Sequence, residues 1–227
     1  MNDEIEFLRY VPIFSDLNEE TLELIYKTGV KKLCKKDTHV LLEHESGTAL
    51  FIIKSGKVKV SRVGDDGKEV ILSLLGESEF FGEMAIIDGL ARSANIITME
   101  ETELFIIERD NFLTLIHNHP EIPIALIQIL IQRIRAADMK IKALSIMDAP
   151  GKVGTIIMQL AEETGKIKNG VVEIEKIPFQ HDLANMAGTS RETVSRTLHS
   201  FQKKGLIELD GSRVRILNYK KFKELYG

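Results

Sequence analysis

The sequence has only one cysteine, Cys34, in its 227 residues. A single thiol cannot close a disulfide within the chain, and it is too few for an iron–sulfur cluster or a structural zinc site of the usual four-ligand kind. The composition therefore excludes redox or iron sensing through clustered cysteines. We expect neither a metal site nor a covalently held cofactor.

Long hydrophobic runs are absent as well. A membrane helix needs about 20 consecutive apolar residues, and the acidic start at residues 1–6 lacks the basic region of a signal peptide. These absences predict a cytoplasmic protein with no membrane segment. With 44% hydrophobic residues, the chain can still bury real cores, as one large domain or two modest ones.

Signatures of catalysis are also missing. The six histidines are scattered along the chain, and the sequence has no nucleophile elbow, Walker loop or metal-binding pattern. The sequence therefore predicts a binding protein and not an enzyme, with no catalytic residues and no metal ligands.

Charge is divided unevenly between the two parts of the chain. Residues 1–148 carry 17 basic and 25 acidic side chains, whereas residues 149–227 carry 13 basic and 9 acidic ones. The front is thus acidic and the back is basic, although the overall net charge is only −4. This asymmetry predicts that only the second part meets a polyanion.

A long helix is predicted between Pro120 and the break at Asp148. Its apolar residues recur at alternating spacings of three and four, which is a heptad pattern. The a positions are Ile127, Ile134 and Ile141, and the d positions are Leu130, Ala137 and Leu144. Because β-branched residues at a favour a parallel two-stranded coil, residues 121–146 are predicted to form a homodimer, with Arg133 reaching Asp138 of the partner subunit. The alternative is one amphipathic helix packed on its own domain.

The region before this helix has the pattern of a β domain. Asn18 is placed to cap a helix near the start of the chain. Short β-rich runs follow between residues 30 and 107, and residues 57–63 and 69–75 have the pattern of a hairpin. Several strands at this spacing predict an antiparallel sandwich or barrel, followed by a short helical segment at 108–119.

One segment of this region, residues 81–94, does not alternate like a strand. Gly82 permits close backbone approach, and Glu83 to Ile87 can form a helical turn whose amides point at one spot. Nine residues after Glu83 comes Arg92, whose guanidinium suits a phosphate, with the Ser93 hydroxyl beside it. These groups suit a single phosphate, and the nearby carboxylate suits a sugar hydroxyl. In the alternative, Arg92 only pairs with Glu83 and no ligand binds.

The break at residues 148–151 is predicted to be a hinge between domains. Asp148 can cap a new helix there, and the helical spacing of apolar residues continues over 152–163. Gly165 ends that helix, and a loop with one short strand is expected within 168–177.

The basic part of the chain then contains two predicted helices joined by a tight turn. The first, within residues 178–188, ends in glycine, and Ser190 can cap the second, residues 191–204. Such a pair forms a helix-turn-helix, whose second helix enters the major groove of DNA. Two strands within residues 206–217 are predicted to form a wing.

Three side chains of the second helix have the chemistry needed to read bases. Arg191, Glu192 and Arg196 share one side of the helix. Arginine pairs with guanine O6 and N7, and glutamate accepts from cytosine N4. A glutamate among arginines makes little sense for nonspecific phosphate binding, although a charged solvated helix is the simpler alternative. Further DNA-contact candidates are Ser190, His199, Lys203, Lys204, Arg213 and Arg215.

From the N-terminal helix to the wing, the chain resembles the Crp/Fnr superfamily of bacterial transcription regulators. Residues 81–94 resemble the phosphate-binding cassette of cyclic-nucleotide-binding domains. The resemblance implies an α+β fold with an antiparallel β-roll, the cyclic-nucleotide-binding jelly roll, and flanking helices at 1–119. A dimerisation helix at 120–147 and a winged helix-turn-helix at 148–227 would complete the chain.

The resemblance also implies roles for individual residues. In the family, the cassette glutamate takes the ribose 2′-hydroxyl and the arginine takes the cyclic phosphate, which assigns these roles to Glu83 and Arg92. Arg133 is a further ligand candidate, and Ala137 and Asp138 occupy the positions that hold the base. Asp138 can accept from adenine N6 and would repel guanine O6, or it can pair with Arg133 of the partner subunit. Gly82, Met84, Ala85 and Ser93 would complete the pocket.

The implied function is that of a homodimeric regulator which binds a palindromic operator with TGTGA-like half-sites. Cyclic AMP or a related cyclic nucleotide would be its effector, and RNA polymerase a further partner. One alternative is a regulator of the same shape that binds DNA without a ligand or answers another effector. Another is a signalling subunit whose helix-turn-helix contacts protein.

Overall fold

The computed structural model describes residues 3–227, with Asp3 described by its backbone alone. The chain divides into two compact units, the first ending at Ile134 and the second beginning at Arg135. This boundary falls inside the long helix and not at either of its ends. The division into 1–119, 120–147 and 148–227 therefore stays a prediction.

The elements are given in chain order. The α-helices of the described residues are α1 Asp3–Glu6, α2 Glu19–Thr28, α3 Glu83–Ile87, α4 Arg109–Asn118, α5 Glu121–Ile146, α6 Ala149–Thr164, α7 Gln180–Ala187, α8 Arg191–Lys203 and α9 Tyr219–Tyr226, with a 3₁₀ turn at Phe7–Tyr10. The strands are β1 Val30–Cys34, β2 His39–Leu41, β3 Ala49–Ser55, β4 Val58–Val63, β5 Glu69–Leu75, β6 Phe80–Phe81, β7 Asn95–Thr98, β8 Thr102–Glu108, β9 Lys166–Lys168, β10 Val171–Ile174, β11 Ile207–Asp210 and β12 Arg213–Ile216.

The first unit is built around an antiparallel β-roll, as predicted. Its strands form two sheets, with the orders β1-β8-β3-β6 and β2-β7-β4-β5. The β4–β5 hairpin pairs Val58 with Leu75 and Val63 with Glu69, and a bulge between Val60 and Ser61 lets the pair curve. Apolar side chains of both sheets and of the flanking helices form the core.

The N-terminal helix α2 begins where its cap residue predicts. The side chain of Asn18 accepts a hydrogen bond of 2.9 Å from the Thr21 amide, which satisfies one of the free donors at the helix start. Leu22 and Ile25 then point into the core of the β-roll. The predicted N-cap is therefore confirmed, and the helix closes one side of the roll.

Helix α5 is a single helix over Glu121–Ile146, with the bounds that the heptad pattern predicts. Its first turns pack on the β-roll, because Ile122 and Leu126 belong to the buried core. The three a-position isoleucines remain exposed in the single chain: Ile127 by 56%, Ile134 by 60% and Ile141 by 62%. Within residues 3–227, no helix is both long and apolar enough to cross a membrane.

The second unit contains α6, the helix-turn-helix and a four-stranded sheet of order β11-β12-β10-β9. The Asp148 carboxylate accepts from the Gly151 amide at 2.9 Å, so the predicted cap of α6 is confirmed. Ala143, near the end of α5, is buried within this unit. A Cβ added to Gly188 would lie 3.3 Å from Leu144 Cδ2, so the end of α5 packs against the turn between α7 and α8.

Two features of this unit differ from the sequence prediction. Residues 166–174 form a hairpin of β9 and β10 where one strand was expected, because Asn169 and Gly170 both take positive φ angles, 52° and 79°, and turn the chain. Helix α9 was not predicted. It buries Phe222 and lays Tyr226 against Gly154 of α6, where a Cβ would come within 2.4 Å of Tyr226 Cδ1. The available signals were the Asn-Gly pair and the capping residue Asn218.

Candidate functional site

The cassette in the first unit is organised by a glycine. Gly82 precedes α3 with φ of +90°, a conformation that other residues rarely adopt. A Cβ at this position would lie 2.7 Å from Arg92 Nη1 and 3.0 Å from the Ala49 carbonyl oxygen. Glycine thus allows the arginine to lie directly against the backbone that enters α3.

Arg92 is buried at the centre of this segment, with 4% of its surface exposed. Its Nη1 donates to the Gly82 carbonyl at 2.7 Å and its Nη2 donates to the Ala49 carbonyl at 2.9 Å. The third donor, Nε, is buried and has no hydrogen-bond partner among the described residues. Burial lowers the pKa of the Arg92 guanidinium below its ordinary value, and the charges of Glu83 and Glu45 act in the opposite direction.

Glu83 is also buried, with 3% of its surface exposed, but it does not pair with Arg92. Its Oε1 accepts from Arg133 Nη1 at 2.8 Å. Arg133 also donates from Nη2 to the Phe80 carbonyl at 2.7 Å, and its guanidinium lies 4.9 Å from the centre of the Phe80 ring. The structure therefore brings Glu83, Arg92 and Arg133 together in the first unit. The two arginines donate to different acceptors.

The remaining cassette candidates surround these charges. Ala85 is buried against Gly47, whereas Met84 and Ser93 are exposed, with Ser93 Oγ 3.8 Å from Met84 Sδ. A cavity of about 290 Å³ lies beside the cassette and is lined by Ala85 and Arg109 among others, but by neither Glu83 nor Arg92. The cavity thus adjoins the predicted phosphate site through Ala85, while the charged residues Glu83 and Arg92 lie outside its lining.

The two predicted base-holding residues belong to the second unit. Ala137 and Asp138 lie on α5 beyond the boundary at Arg135, and both are exposed. The phosphate and ribose candidates are thus gathered within one unit, whereas these two positions are not part of it.

The candidates for base contacts lie on α8 of the second unit, with Ser190 at its N-cap. Buried side chains fix one side of this helix in the core, namely Val194, Thr197, Leu198 and Phe201. The predicted contacts are all on the exposed surface, namely Ser190, Arg191, Glu192, Arg196 and His199. Ser190 caps the helix, because its Oγ accepts from the Thr193 amide at 3.2 Å.

The neighbours of Glu192 favour its charged form. A backbone amide hydrogen bond lowers the pKa of Glu192, and the Ser190 hydroxyl and the positive charges of Arg191 and Arg196 lower it further. A carboxylate that stays ionised is an obligate acceptor. It therefore suits the amino group of cytosine and not a phosphate.

The wing carries a row of alternating charges across its sheet. Glu208 lies opposite Arg215, Arg215 opposite Glu173, and Glu173 opposite Lys166. Arg215 Nη1 lies 2.6 Å from Glu208 Oε2, and Arg213 Nε lies 3.3 Å from Glu173 Oε1. The two wing arginines that the sequence offers as phosphate contacts are therefore paired with carboxylates of their own sheet.

We expect Arg215→Gln to leave DNA binding nearly unchanged, because this arginine's charge is already compensated. The affinity for an operator should change less than about threefold, and the slope of log affinity against log salt should stay the same. The free energy of unfolding should fall by about 0.5 kcal/mol at most, as for an exposed pair. Glu208→Gln is the matched control for stability. A salt slope reduced by about one would instead identify Arg215 as a phosphate contact.

Comparison with known proteins identifies the two domains in which these candidate residues lie. The family model "Cyclic nucleotide-binding domain" matches residues 31–119, and "Crp-like helix-turn-helix domain" matches residues 151–225. The chain is 34% identical over 205 residues to the Cyclic AMP receptor protein of Thermus thermophilus, which covers 90% of this chain and 92% of that protein. The chain belongs to the Crp/Fnr family of transcription regulators.

Other members of the Crp/Fnr family are similar to it as well. It is 36% identical over 177 residues to the CRP-like cAMP-activated global transcriptional regulator of Mycobacterium tuberculosis, with 78% of this chain and 79% of that protein covered. A variant of CooA from Carboxydothermus hydrogenoformans has the same fold, with a TM-score of 0.80 at 23% identity over 94% of both chains.

The family assignment confirms the predicted fold and the broad function. This Crp/Fnr protein is a DNA-binding transcription regulator with a cyclic-nucleotide-binding domain, and it is not an enzyme. The alternative in which its helix-turn-helix contacts only protein is therefore removed.

Proposed function

We propose that this Crp/Fnr regulator is a homodimer under the control of a cyclic nucleotide, with cyclic AMP favoured, and that it reads a palindrome with TGTGA-like half-sites. The observation that carries the ligand proposal is the buried guanidinium of Arg92, whose Nε–H has no partner among the described residues. As a DNA-binding regulator it would act in the cytoplasm, with RNA polymerase as a further partner.

The phosphate of the ligand would complete the environment of Arg92. A buried donor without a partner costs about 1–3 kcal/mol, and more when the group is charged. Desolvation already lowers the pKa of this arginine, so a nearby anion would stabilise the charged form. The two carbonyls accept from Nη1 and Nη2, so Nε is the donor left for a phosphate oxygen once the segment that buries it opens to the ligand. Met84, Ala85 and Ser93 would then line the pocket as proposed cassette contacts.

The ribose would be bound by Glu83. A carboxylate has two oxygens and accepts several hydrogen bonds, so Glu83 can keep its bond from Arg133 and accept from a 2′-hydroxyl. In this arrangement Arg133 orients the carboxylate and does not contact the phosphate itself. That is a narrower role than the sequence resemblance alone implies.

Choice of the base would depend on Asp138. Ala137 has no side-chain donor or acceptor, so the carboxylate of Asp138 is the polar group that these two positions offer. Arg133 already donates to Glu83 and to the Phe80 carbonyl, which leaves it less able to pair with Asp138 of the partner subunit. Asp138 would accept from adenine N6 and repel guanine O6, which favours cyclic AMP over cyclic GMP.

The homodimer proposal is supported by the exposed a positions of α5. Three isoleucines at seven-residue spacing leave more than half of their surface uncovered in the single chain. Leaving this much apolar surface in contact with water is unfavourable in free energy unless another helix covers it. A second copy of α5 with the same heptad spacing provides such a surface.

The palindrome follows from the dimer and from α8. Two copies would present Arg191, Glu192 and Arg196 to two half-sites about 34 Å apart, one turn of DNA. Each arginine pairs with a guanine and Glu192 with a cytosine, which is the pattern that a TGTGA-like half-site offers. Ser190 and His199 would contact the backbone at the two ends of this face.

A second candidate is a Crp/Fnr regulator that binds DNA without a ligand or that answers another effector. Two observations favour it. Arg133 already satisfies one oxygen of Glu83, and Ala137 provides no hydrogen bond to a base.

Calorimetry with cyclic AMP and cyclic GMP separates the two candidates. We expect heat of binding with cyclic AMP and a weaker affinity for cyclic GMP. Asp138→Asn should reduce that preference about tenfold, because an amide can donate to guanine O6 where a carboxylate cannot. If the preference is unchanged and the dimer is weakened, Asp138 pairs with Arg133 of the partner subunit. An absence of heat with both nucleotides would rule out the ligand proposal.

A further inference from the structure

The base-reading face of α8 contains a short chain of side-chain hydrogen bonds. Ser190 Oγ lies 3.0 Å from Thr193 Oγ1, and Thr193 Oγ1 accepts from Arg196 Nη2 at 3.3 Å. The chain starts at the residue that caps the helix and ends at a candidate base-reading guanidinium. Thr193 is its middle member, and neither the heptad, the cassette nor the recognition pattern points to it.

We propose that Thr193 is a positioning residue that orients the guanidinium of Arg196 for base reading. This inference rests on the proposed reading of DNA by α8 and adds a residue that determines its specificity. Thr193 acts through Arg196 and does not itself contact a base or a phosphate.

The chemistry of the two side chains supports this role. A hydroxyl has one donor and two acceptor lone pairs, so Thr193 can donate to Ser190 and still accept from Arg196. A guanidinium has five N–H groups, and fixing one of them leaves four for the bidentate pair with guanine O6 and N7. Because Arg196 is exposed and an arginine side chain has many rotamers, holding it in place before binding reduces the entropy lost on the DNA.

The hydroxyl of Thr193 can be removed without removing the helix cap. Ser190 Oγ accepts from the backbone amide of Thr193, and a valine at this position keeps that amide. Thr193 is half-buried, and valine has nearly the same shape and the same branching at Cβ. Thr193→Val therefore deletes the hydroxyl contacts to Arg196 and to Ser190 while keeping the backbone cap, and Thr193→Ser is the matched variant that retains both contacts.

The test measures base discrimination and affinity separately. An operator is selected from random duplexes by the full-length protein, and its single-base variants are then titrated in the presence and absence of cyclic AMP. Arg196→Ala first identifies the base pair that this arginine reads. Thr193→Val should reduce discrimination at that pair about 3- to 10-fold, with affinity for unrelated DNA changed less than about twofold. Thr193→Ser should behave like the native protein.

The alternatives give different results. Equal loss of affinity for all sequences in Thr193→Val would make Thr193 a phosphate contact and overturn the proposal. Unchanged base discrimination in Thr193→Val would also overturn the proposal. In an Arg196→Ala background, which has no donor for the Thr193 hydroxyl, Thr193→Val should have no further effect, and an additive loss would show that Thr193 acts independently. If Arg196→Ala relaxes no position, the proposed base reading fails, whatever the result for Thr193.

Discussion

Replacing Arg92 with leucine is expected to weaken cyclic AMP binding by about 100-fold or more. Among the described residues, Arg92 is the buried cation with a hydrogen-bond donor that has no partner, and hydrogen bonds to charged groups contribute about 1.5–3 kcal/mol each. Titration calorimetry at a temperature where the variant is folded measures the loss. Arg92→Lys keeps the positive charge but lacks the planar guanidinium with its several N–H donors, so it should retain part of the affinity.

Stability must be measured in parallel, because Arg92 also holds two backbone carbonyls. Leucine leaves the Gly82 and Ala49 carbonyls without their donor, which should lower the free energy of unfolding by about 1–3 kcal/mol for each. Arg109→Leu is the control, since Arg109 lines the neighbouring cavity of about 290 Å³. Native affinity in Arg92→Lys together with lost affinity in Arg109→Leu would place the ligand in that cavity and contradict the account.

Replacing Ile134 with lysine should dissociate the proposed dimer. The central a position would then carry a charge in each chain, and the two charges would face each other across an apolar seam. We expect the dimer dissociation constant to rise about 100-fold or more, as measured by sedimentation at several concentrations. Affinity for a palindrome should fall by about the same factor, because the second half-site no longer binds as part of one molecule.

Met139 provides the matched control on the same helix. It is an apolar residue with 52% exposure, but it occupies the f position of the heptad, away from the seam. Met139→Lys should therefore leave both dimerisation and DNA binding unchanged. If the two substitutions weaken dimerisation equally, or if the native chain sediments as a monomer, α5 does not form the dimer interface.

Much of the architecture follows from local signals in the sequence. Asn18, Asp148 and Ser190 each cap the helix that they were expected to cap, because capping depends only on the next three residues. The bounds of α5 were predictable because Pro120 precedes it, Asp148 caps the next helix, and the heptad pattern runs between these two residues. The hairpin of β4 and β5 was predictable from alternation and its glycine-containing turn.

The partners of the charged groups could not be predicted in the same way. Arg92 donates to Ala49, which is 43 residues away in sequence, and Arg133 reaches Glu83 over 50 residues. Which of several nearby carboxylates or carbonyls accepts from an arginine is decided by the packing of strands and helices. The sequence offered Glu83, Arg92 and Arg133 as candidates but left their pairing open.

The wing and α9 illustrate a second limit. The pairing of Arg215 with Glu208 and Glu173 depends on the register of three strands, which no short pattern determines. Helix α9 has few residues, and its burial of Phe222 depends on contact with other parts of the unit. Short elements of this kind are stabilised by tertiary packing more than by their own propensity.

Titration of a palindromic TGTGA duplex with the full-length protein, with and without cyclic AMP, tests the central claim most directly. We predict two chains bound per duplex, a clear preference over a scrambled duplex, and an affinity raised about tenfold or more by the nucleotide. One chain per duplex, equal binding to the scrambled sequence, or no response to cyclic AMP would contradict the account of a ligand-controlled dimer that reads two half-sites.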